Sequence, residues 1–391
     1  MKRQLAIGGA MVSAAGAALG WTIARKLTAP VGPRRFNLTL RGIEVNGDRQ
    51  LLLLDRTCDT EAPGAYSLWF EHGGWTQLGN EVEDRGQNQV ARVVVGVSPG
   101  LTPREGDRVS WSGIYYATPA NAGVDARDIV ISTAVGPAPA WRINVDTSIW
   151  AIHVHGLGSP RAGTLRGVQV ATDLGLTSLV VSYRNDGEGP TVGSGRSTLG
   201  ASETEDVEAA IGYAVRRGAE RIVLFAWSMG AAIALQIAHR SDYAPLVAGL
   251  VLDSPVLNWV EVIKANCQRA GLPGSAGLLA VPWLTNAPLS RLIGLPCRIP
   301  ISDSDWVARA NELSVPTLIL HGANDDSVPF KTSSALATKR RDLVQLERFD
   351  AGHTLAWNSD VQRWRAAVAT WLSNIEGVDS RQNLNPTSHR W

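Results

Sequence analysis

The chain has 391 residues, 45% hydrophobic and 19% charged, and its 37 Lys and Arg nearly balance its 36 Asp and Glu for a formal net charge of +1. That is enough apolar sequence for a sizeable core and more than one unit, and the even balance, with no basic block, excludes an electrostatic nucleic-acid binder. No His-Glu-x-x-His, Cys-x-x-Cys or calcium-loop spacing occurs, and neither Gly187-Glu188-Gly189 nor Gly193-Ser194-Gly195 sits between strand and helix with a trailing Lys, so no metal and no cofactor are expected.

Lys2 and Arg3 precede Leu5–Ala24, twenty residues without a charge, and Arg25 and Lys26 end the run. At 1.5 Å per residue such a helix just spans about 30 Å of hydrocarbon, and it is longer than the about 7–15 apolar residues of a secretory signal. Residues 1–28 therefore read as a single-pass anchor or a signal sequence, with Ala15-Gly16-Ala17 as a possible cleavage site. Gly16-x-x-x-Gly20 could let two such helices pack. Basic residues flank both ends, so loop charge does not settle orientation. The charges ahead of the run favour a membrane-associated protein whose bulk is extracytoplasmic. Of the three cysteines, Cys58, Cys267 and Cys297, an odd count leaves at least one free, and Cys267 could pair with Cys297 in an oxidising compartment.

Residues 34–125 carry short β-like runs at 51–54, 66–70, 90–95 and 109–116, separated by Gly, Pro and Asp clusters, as in an all-β module. From 126 the pattern changes. Strands are expected near 129–134, 140–145 and 148–154, then strand 179–183, helix 203–217, strand 221–226, helix 229–240 and strand 248–252, the alternation of a doubly wound, mostly parallel sheet. About 256–310 breaks that rhythm with Pro, Gly and short amphipathic pieces and reads as a lid. The polar end, 377–391, reads as a disordered tail.

One stretch carries chemistry. Ala226-Trp227-Ser228-Met229-Gly230 lies between the apolar run 221–225 and the small-residue helix 231–238. Small-x-Ser-x-Gly between strand and helix is the form of a nucleophile elbow, whose tight turn lifts the serine Oγ clear of the sheet. Alanine stands where the first glycine is usual. A nucleophile on such an elbow has its acid and then its histidine further along the chain. Downstream, the strand-like run 316–320 leads into His321-Gly322-Ala323-Asn324-Asp325-Asp326, and the last strand, 344–348, leads to Gly352-His353. The expected roles are Ser228 as nucleophile, His353 as general base then acid, and Asp325 as the group that fixes the imidazole tautomer. Asp326 and Asp253 are the competing acids, and His72, His321 and His389 have no neighbours that suggest chemistry.

Taken in order, His155-Gly156-Leu157-Gly158, Ser182-Tyr183-Arg184-Asn185, Trp227-Ser228-Met229-Gly230, Leu252-Asp253-Ser254-Pro255, Gly322-x-x-Asp325-x-x-Val328-Pro329 and Gly352-His353 resemble the α/β-hydrolase superfamily over about residues 126–376, and within it the serine-aminopeptidase-like branch. The resemblance implies an oxyanion hole from the main-chain nitrogens of Leu157 and Met229. Trp227 and His155 are the candidate substrate-binding side chains, His155 chiefly by shaping the oxyanion loop. The expected function is a membrane-associated serine hydrolase working through an acyl-enzyme on a small-molecule or lipid ester. A serine peptidase, which would need an acidic cluster for the substrate amine, and a non-catalytic scaffold, whose mark would be a missing triad member, are the alternatives. Oligomeric state is not legible.

Overall fold

The computed structural model describes residues 2–143 and 147–375, with side chains from residue 14 onward, so the expected tail and His389 lie outside the described residues. A helix, α1 (Lys2–Leu27), leads into six strands, β1 (Leu38–Asn46), β2 (Arg49–Asp55), β3 (Tyr66–Phe70), β4 (Trp75–Asp84), β5 (Gln89–Val97) and β6 (Arg108–Ser112). These close into a barrel in the order β1-β2-β5-β4-β3-β6, which leaves no free sheet edge. Leu40, Leu52, Leu54, Leu68, Phe70, Leu78, Val90 and Val109 fill its interior. The sequence runs anticipated β2, β3, β5 and β6 but not β1 or β4. Both of those are mostly polar, and their ladders slip register between Leu40 and Gly42 and again around Leu78, which blurs the period-two signal.

Arg92 on β5 is fully buried. Its Nη1 donates to the carbonyls of Thr60 (3.0 Å) and Ala62 (2.8 Å), and its Nη2 to those of Gly64 (2.7 Å) and Gly79 (3.0 Å). The irregular segment between β2 and β3 is thereby tied to the barrel wall by one side chain, whose pKa burial pushes down to about 10.

The second unit is an eight-stranded sheet of β7 (Ala126–Thr133), β8 (Gly136–Ile143), β9 (Ile149–Val154), β10 (Thr177–Val181), β11 (Arg221–Trp227), β12 (Val247–Asp253), β13 (Thr317–Gly322) and β14 (Val344–Phe349). The spatial order is β14-β13-β12-β11-β9-β10-β8-β7, and only β8 runs against its neighbours. Crossover helices α2 (Leu165–Asp173), α3 (Glu203–Val215) and α4 (Met229–Arg240) connect the parallel strands. The central strands are buried on both faces, as their unbroken apolar runs require. Chain order reverses about β9, with β10 on one side and β11 on the other. The carboxyl ends of β9 and β11 therefore flank the crevice where ligands bind in open α/β sheets.

The insertion after β12 folds as α5 (Trp259–Arg269), α6 (Val281–Thr285), α7 (Ala287–Leu292) and short turns, ahead of α8 (Phe330–Lys339), α9 (Ala356–Ser359) and α10 (Val361–Leu372). Cys267 is buried, Cys297 exposed, and both are free thiols, so the pairing that the sequence left open is not made. Among the described residues, no helix is long and apolar enough to cross a membrane. The carboxyl-terminal half of α1 instead lies along the insertion. A Cβ on Gly20 would collide with the Leu279 carbonyl, Ala24 is buried, and Arg25 Nη1 donates to the Ile293 carbonyl at 3.3 Å. The Gly16-x-x-x-Gly20 face thus packs within the chain rather than against a second helix.

Arg92→Met removes the donors of four carbonyls, each costly to leave unpaired. We expect a loss on the order of 3 kcal/mol or more in denaturant unfolding followed by Trp fluorescence. A loss below about 1 kcal/mol would mean that the carbonyls find other donors.

Candidate active site

Strand β11 ends at Trp227 and α4 begins at Met229, so Ser228 alone makes the turn, at φ 51° and ψ −115°. A side chain in the left-handed region is strained and persists only where its surroundings hold it. Here the Ser228 N–H donates to the Asp253 carbonyl (3.0 Å), and the Ser228 carbonyl accepts from Ala231 N and Val256 N (3.1 Å each). Close approach of β9 sets the glycines. A Cβ on Gly230 would collide with the Val154 carbonyl and lie 2.7 Å from the His155 carbonyl, and one on Gly156 would lie 3.0 Å from Ser228 Cβ. Ala226, two residues before the serine, sits at 1% exposure in the sheet core with its methyl accommodated. The tight constraint on residue size therefore falls after Ser228, at Gly230.

The structure brings Ser228, His353 and Asp325 together. His353 Nε2 is 2.9 Å from Ser228 Oγ, and its Nδ1 is 2.7 Å from Asp325 Oδ2. With Nδ1–H donating to the carboxylate, the unprotonated Nε2 faces the hydroxyl, as a general base must. Asp325 follows β13. Its Oδ1 accepts from Ser327 N (2.9 Å) and Val328 N (2.7 Å), while Oδ2 also takes a hydrogen bond from His321 Nε2 at 3.1 Å. Burial alone would push this carboxyl up, but the hydrogen bonds from His321 and His353, the His353 charge and the Val328 amide outweigh it and hold it well below the usual range.

His321 was expected to have no chemical neighbours. It is fully buried between Asp325 and Ser333, whose Oγ lies 2.8 Å from Nδ1, and it donates to the same carboxylate oxygen as His353. Its place four residues before Asp325 was the available signal. The competing acids lie elsewhere. Asp326 forms a 3.6 Å ion pair with Arg269. Asp253 accepts from Trp364 Nε1 at 3.0 Å, and burial pushes its carboxyl up.

Leu157 follows β9 and Met229 is the first residue of α4, so the Met229 N–H has no acceptor within its helix. His155 is held beneath that loop. Its Nε2 donates to Asp186 Oδ2 (3.0 Å), its ring stacks on Tyr183 at 4.2 Å, and Tyr183 Oη lies 2.9 Å from the His155 carbonyl. This is a loop-shaping role. His153, 3.0 Å from Ser178 Oγ, is a separate pair sealed inside the sheet, both residues at 0% exposure, with burial pushing the imidazole down to about 3.

The loop bearing His353 is anchored by Ser254 and by two residues that sequence reading did not single out, Arg166 and Asn358. Thr354, at φ 56°, donates its N–H to Ser254 Oγ (3.0 Å), and its carbonyl accepts from Arg166 Nη1 (2.9 Å). Asn358, on α9 and buried, accepts from Arg166 at 2.6 Å and donates to the barrel-side carbonyls of Ala65 (2.6 Å) and Gly113 (3.0 Å). Ser228 and His353 open on a cavity of about 100 Å³ whose wall includes Leu157, Thr164, Arg166 and Trp227. A larger depression, of about 420 Å³, lies away from these residues against Arg142, Tyr213, Arg216 and Arg217.

Residues 151–372 match the model of the alpha/beta hydrolase family, and residues 43–112 match a domain of unknown function, DUF8805. Among curated proteins, no sequence matches the chain. Similar solved structures include the Pyrococcus furiosus esterase Pf2001 in two crystal forms. One has 18% identity and TM-score 0.53 over 66% of this chain and 95% of that one, and the other 18% and 0.52 over 66% and 96%. The Rhodococcus esterase RhEst1 has 19% identity and TM-score 0.43 over 64% and 99%.

A carboxyl held below its ordinary range contributes stability that is complete above about pH 4 and is lost as the pH falls through the depressed value. The Tm of the wild type should therefore drop more between pH 5 and pH 3 than that of Asp325→Asn. Equal drops would show that these hydrogen bonds do not hold the carboxylate.

Proposed function

Since the chain belongs to the alpha/beta hydrolase family and is a hydrolase, we propose that it cleaves carboxylic esters through a covalent acyl-enzyme on Ser228. The observation that carries this reading is the hydrogen-bonded line from Ser228 Oγ through His353 to Asp325 on the wall of a cavity. His353 Nε2 takes the hydroxyl proton as Ser228 Oγ bonds to the ester carbonyl carbon. The oxyanion is met by the main-chain N–H groups of Leu157 and Met229. The ester C–O bond then breaks, and His353 gives the proton to the departing alcohol. Water, deprotonated by the same imidazole, attacks the acyl-enzyme, and the proton returns to Ser228 as the acid leaves. Asp325 keeps the imidazole in the tautomer this requires and stabilises its cationic form, and His321 positions Asp325.

The size of the cavity, about 100 Å³ against the about 300–1,000 Å³ of drug-sized sites, supports a short acyl group over a long lipid chain. The peptidase reading is the weaker one. Among the described residues, no carboxylate lines the cavity to receive a substrate amine, and a cation, Arg166, does.

Association with a membrane through α1, with the hydrolase domain extracytoplasmic, is part of the proposal. Its supports are the uncharged run Leu5–Ala24 and the exposed Trp21, Leu278, Leu279 and Leu292 beside Arg25, Lys26 and Arg291. Such a mixture of apolar and basic side chains suits the surface of an anionic bilayer.

Fluorophosphonate labelling tests the chemistry. The wild type should label, Ser228→Ala and His353→Ala should not, and both should lose on the order of 10³-fold or more in p-nitrophenyl acetate turnover. Folded wild type that neither labels nor hydrolyses the ester overturns the reading. Flotation with vesicles of phosphatidylglycerol and phosphatidylcholine tests the membrane. The full chain should float and Leu278→Glu/Leu292→Glu should float less, whereas a full chain that stays in the dense fraction rejects association.

A further inference from the structure

Arg166 lies in the first turn of α2 and is only 4% exposed. Its Nε donates to the Gly163 carbonyl (3.1 Å) and its Nη1 to the Thr354 carbonyl and Asn358 Oδ1, but Nη2 has no hydrogen-bond partner among the described residues. Nor does any described carboxylate lie within ion-pair distance of it. The buried Asp253 interacts with its charge at longer range, and burial pushes that carboxyl towards its neutral form. Among the described residues, the other titratable side chains on the cavity wall are His155, already paired with Asp186, and His353. The guanidinium thus has no carboxylate at close range, and an anion in the cavity that reaches Nη2 gains a charge-assisted hydrogen bond.

Arg92 shows what a purely structural buried arginine does in this chain. Both of its Nη nitrogens are saturated by four carbonyls, and it lies inside the barrel. Arg92 leaves only its Nε without a partner, sealed inside the barrel, whereas Arg166 leaves a terminal nitrogen, Nη2, unpartnered and forms part of the wall that also holds Ser228 and His353. The wall beside it carries the hydroxyls of Ser159 and Thr164, which donate their protons to main-chain carbonyls and leave their oxygens as acceptors. An apolar acyl group would bury this charge without compensation, whereas a short acyl group ending in a carboxylate would pair with it.

We infer that Arg166 is a specificity-determining residue and that the substrate is an ester of a short dicarboxylic acid, whose free carboxylate pairs with the Arg166 guanidinium while its esterified carbonyl lies at Ser228. This rests on Ser228 being the nucleophile proposed above. The bonds made and broken are those of that mechanism, with the distal carboxylate unchanged throughout.

The test compares ethyl hydrogen succinate with its neutral isostere ethyl succinamate, by ethanol release at pH 7, in wild type, Arg166→Gln and Arg166→Lys. The ratio of the two kcat/KM values is read, because Arg166 also holds the His353 loop and its replacement can lower both rates together. Wild type should favour the anionic ester by about tenfold or more, as charge-assisted hydrogen bonds allow. Arg166→Gln should bring the ratio to about one or below, and Arg166→Lys should keep part of it. Free succinate, but not succinamide, should slow fluorophosphonate labelling of the wild type. Labelled Ser228 with a wild-type ratio of one or less, with neither ester cleaved, or with the ratio unchanged in Arg166→Gln, overturns the anionic pocket and leaves the hydrolase reading standing. Absence of both labelling and hydrolysis overturns the hydrolase reading, and this inference with it.

Discussion

The organisation around the cavity depends on one strained residue. Ser228 has to turn the chain from β11 into α4 by itself, in a backbone conformation that a non-glycine residue avoids. It stays there because three main-chain hydrogen bonds, to Asp253, Ala231 and Val256, hold the turn, and because β9 presses so close that a Cβ at 230 would collide with its backbone and one at 156 would crowd Ser228. The neighbouring loops share this character. Ser254 and Thr354 both have positive φ and are joined through the Ser254 hydroxyl. Strain concentrated at strand ends that face one crevice is where preorganised sites are found.

Around that turn, charge is distributed by burial. Asp325 is ionised because four donors surround it, and one of them, His321, leaves His353 as the only imidazole facing the cavity from this carboxylate. Asp253, also buried, has fewer donors, Trp364 and Ser254, and burial pushes it the other way. Two aspartates at neighbouring strand ends thus differ through the number of hydrogen bonds that each accepts.

The barrel and the hydrolase sheet are mechanically linked. Asn358, four residues after Thr354, bridges Ala65 and Gly113 on the barrel side to Arg166 on α2. The amino-terminal unit therefore braces the segment next to His353, besides covering surface. On the other side, α1 rests on the insertion after β12, through Gly20 against Leu279 and Arg25 against the Ile293 carbonyl.

What was legible in the sequence follows from locality. The apolar runs of β9, β11, β12 and β13, the small residues about Ser228, and the placing of Asp325 and His353 just beyond strand ends are all patterns within a few residues. They determined the sheet, the turn and the order of the three groups. β1 and β4 were missed because their outward faces are polar and their registers slip. Cys267 and Cys297 showed only that pairing was conceivable, and Gly16 and Gly20 only that something packs there. His321, Arg166 and Asn358 were decided by tertiary structure alone. Arg166 meets Thr354 188 residues away, and Asn358 meets Ala65 across 293. No periodicity or spacing encodes contacts between such distant segments, and which nitrogen of a buried arginine is left unpaired, and whether it lies by a cavity, exists only once the chain has closed around it.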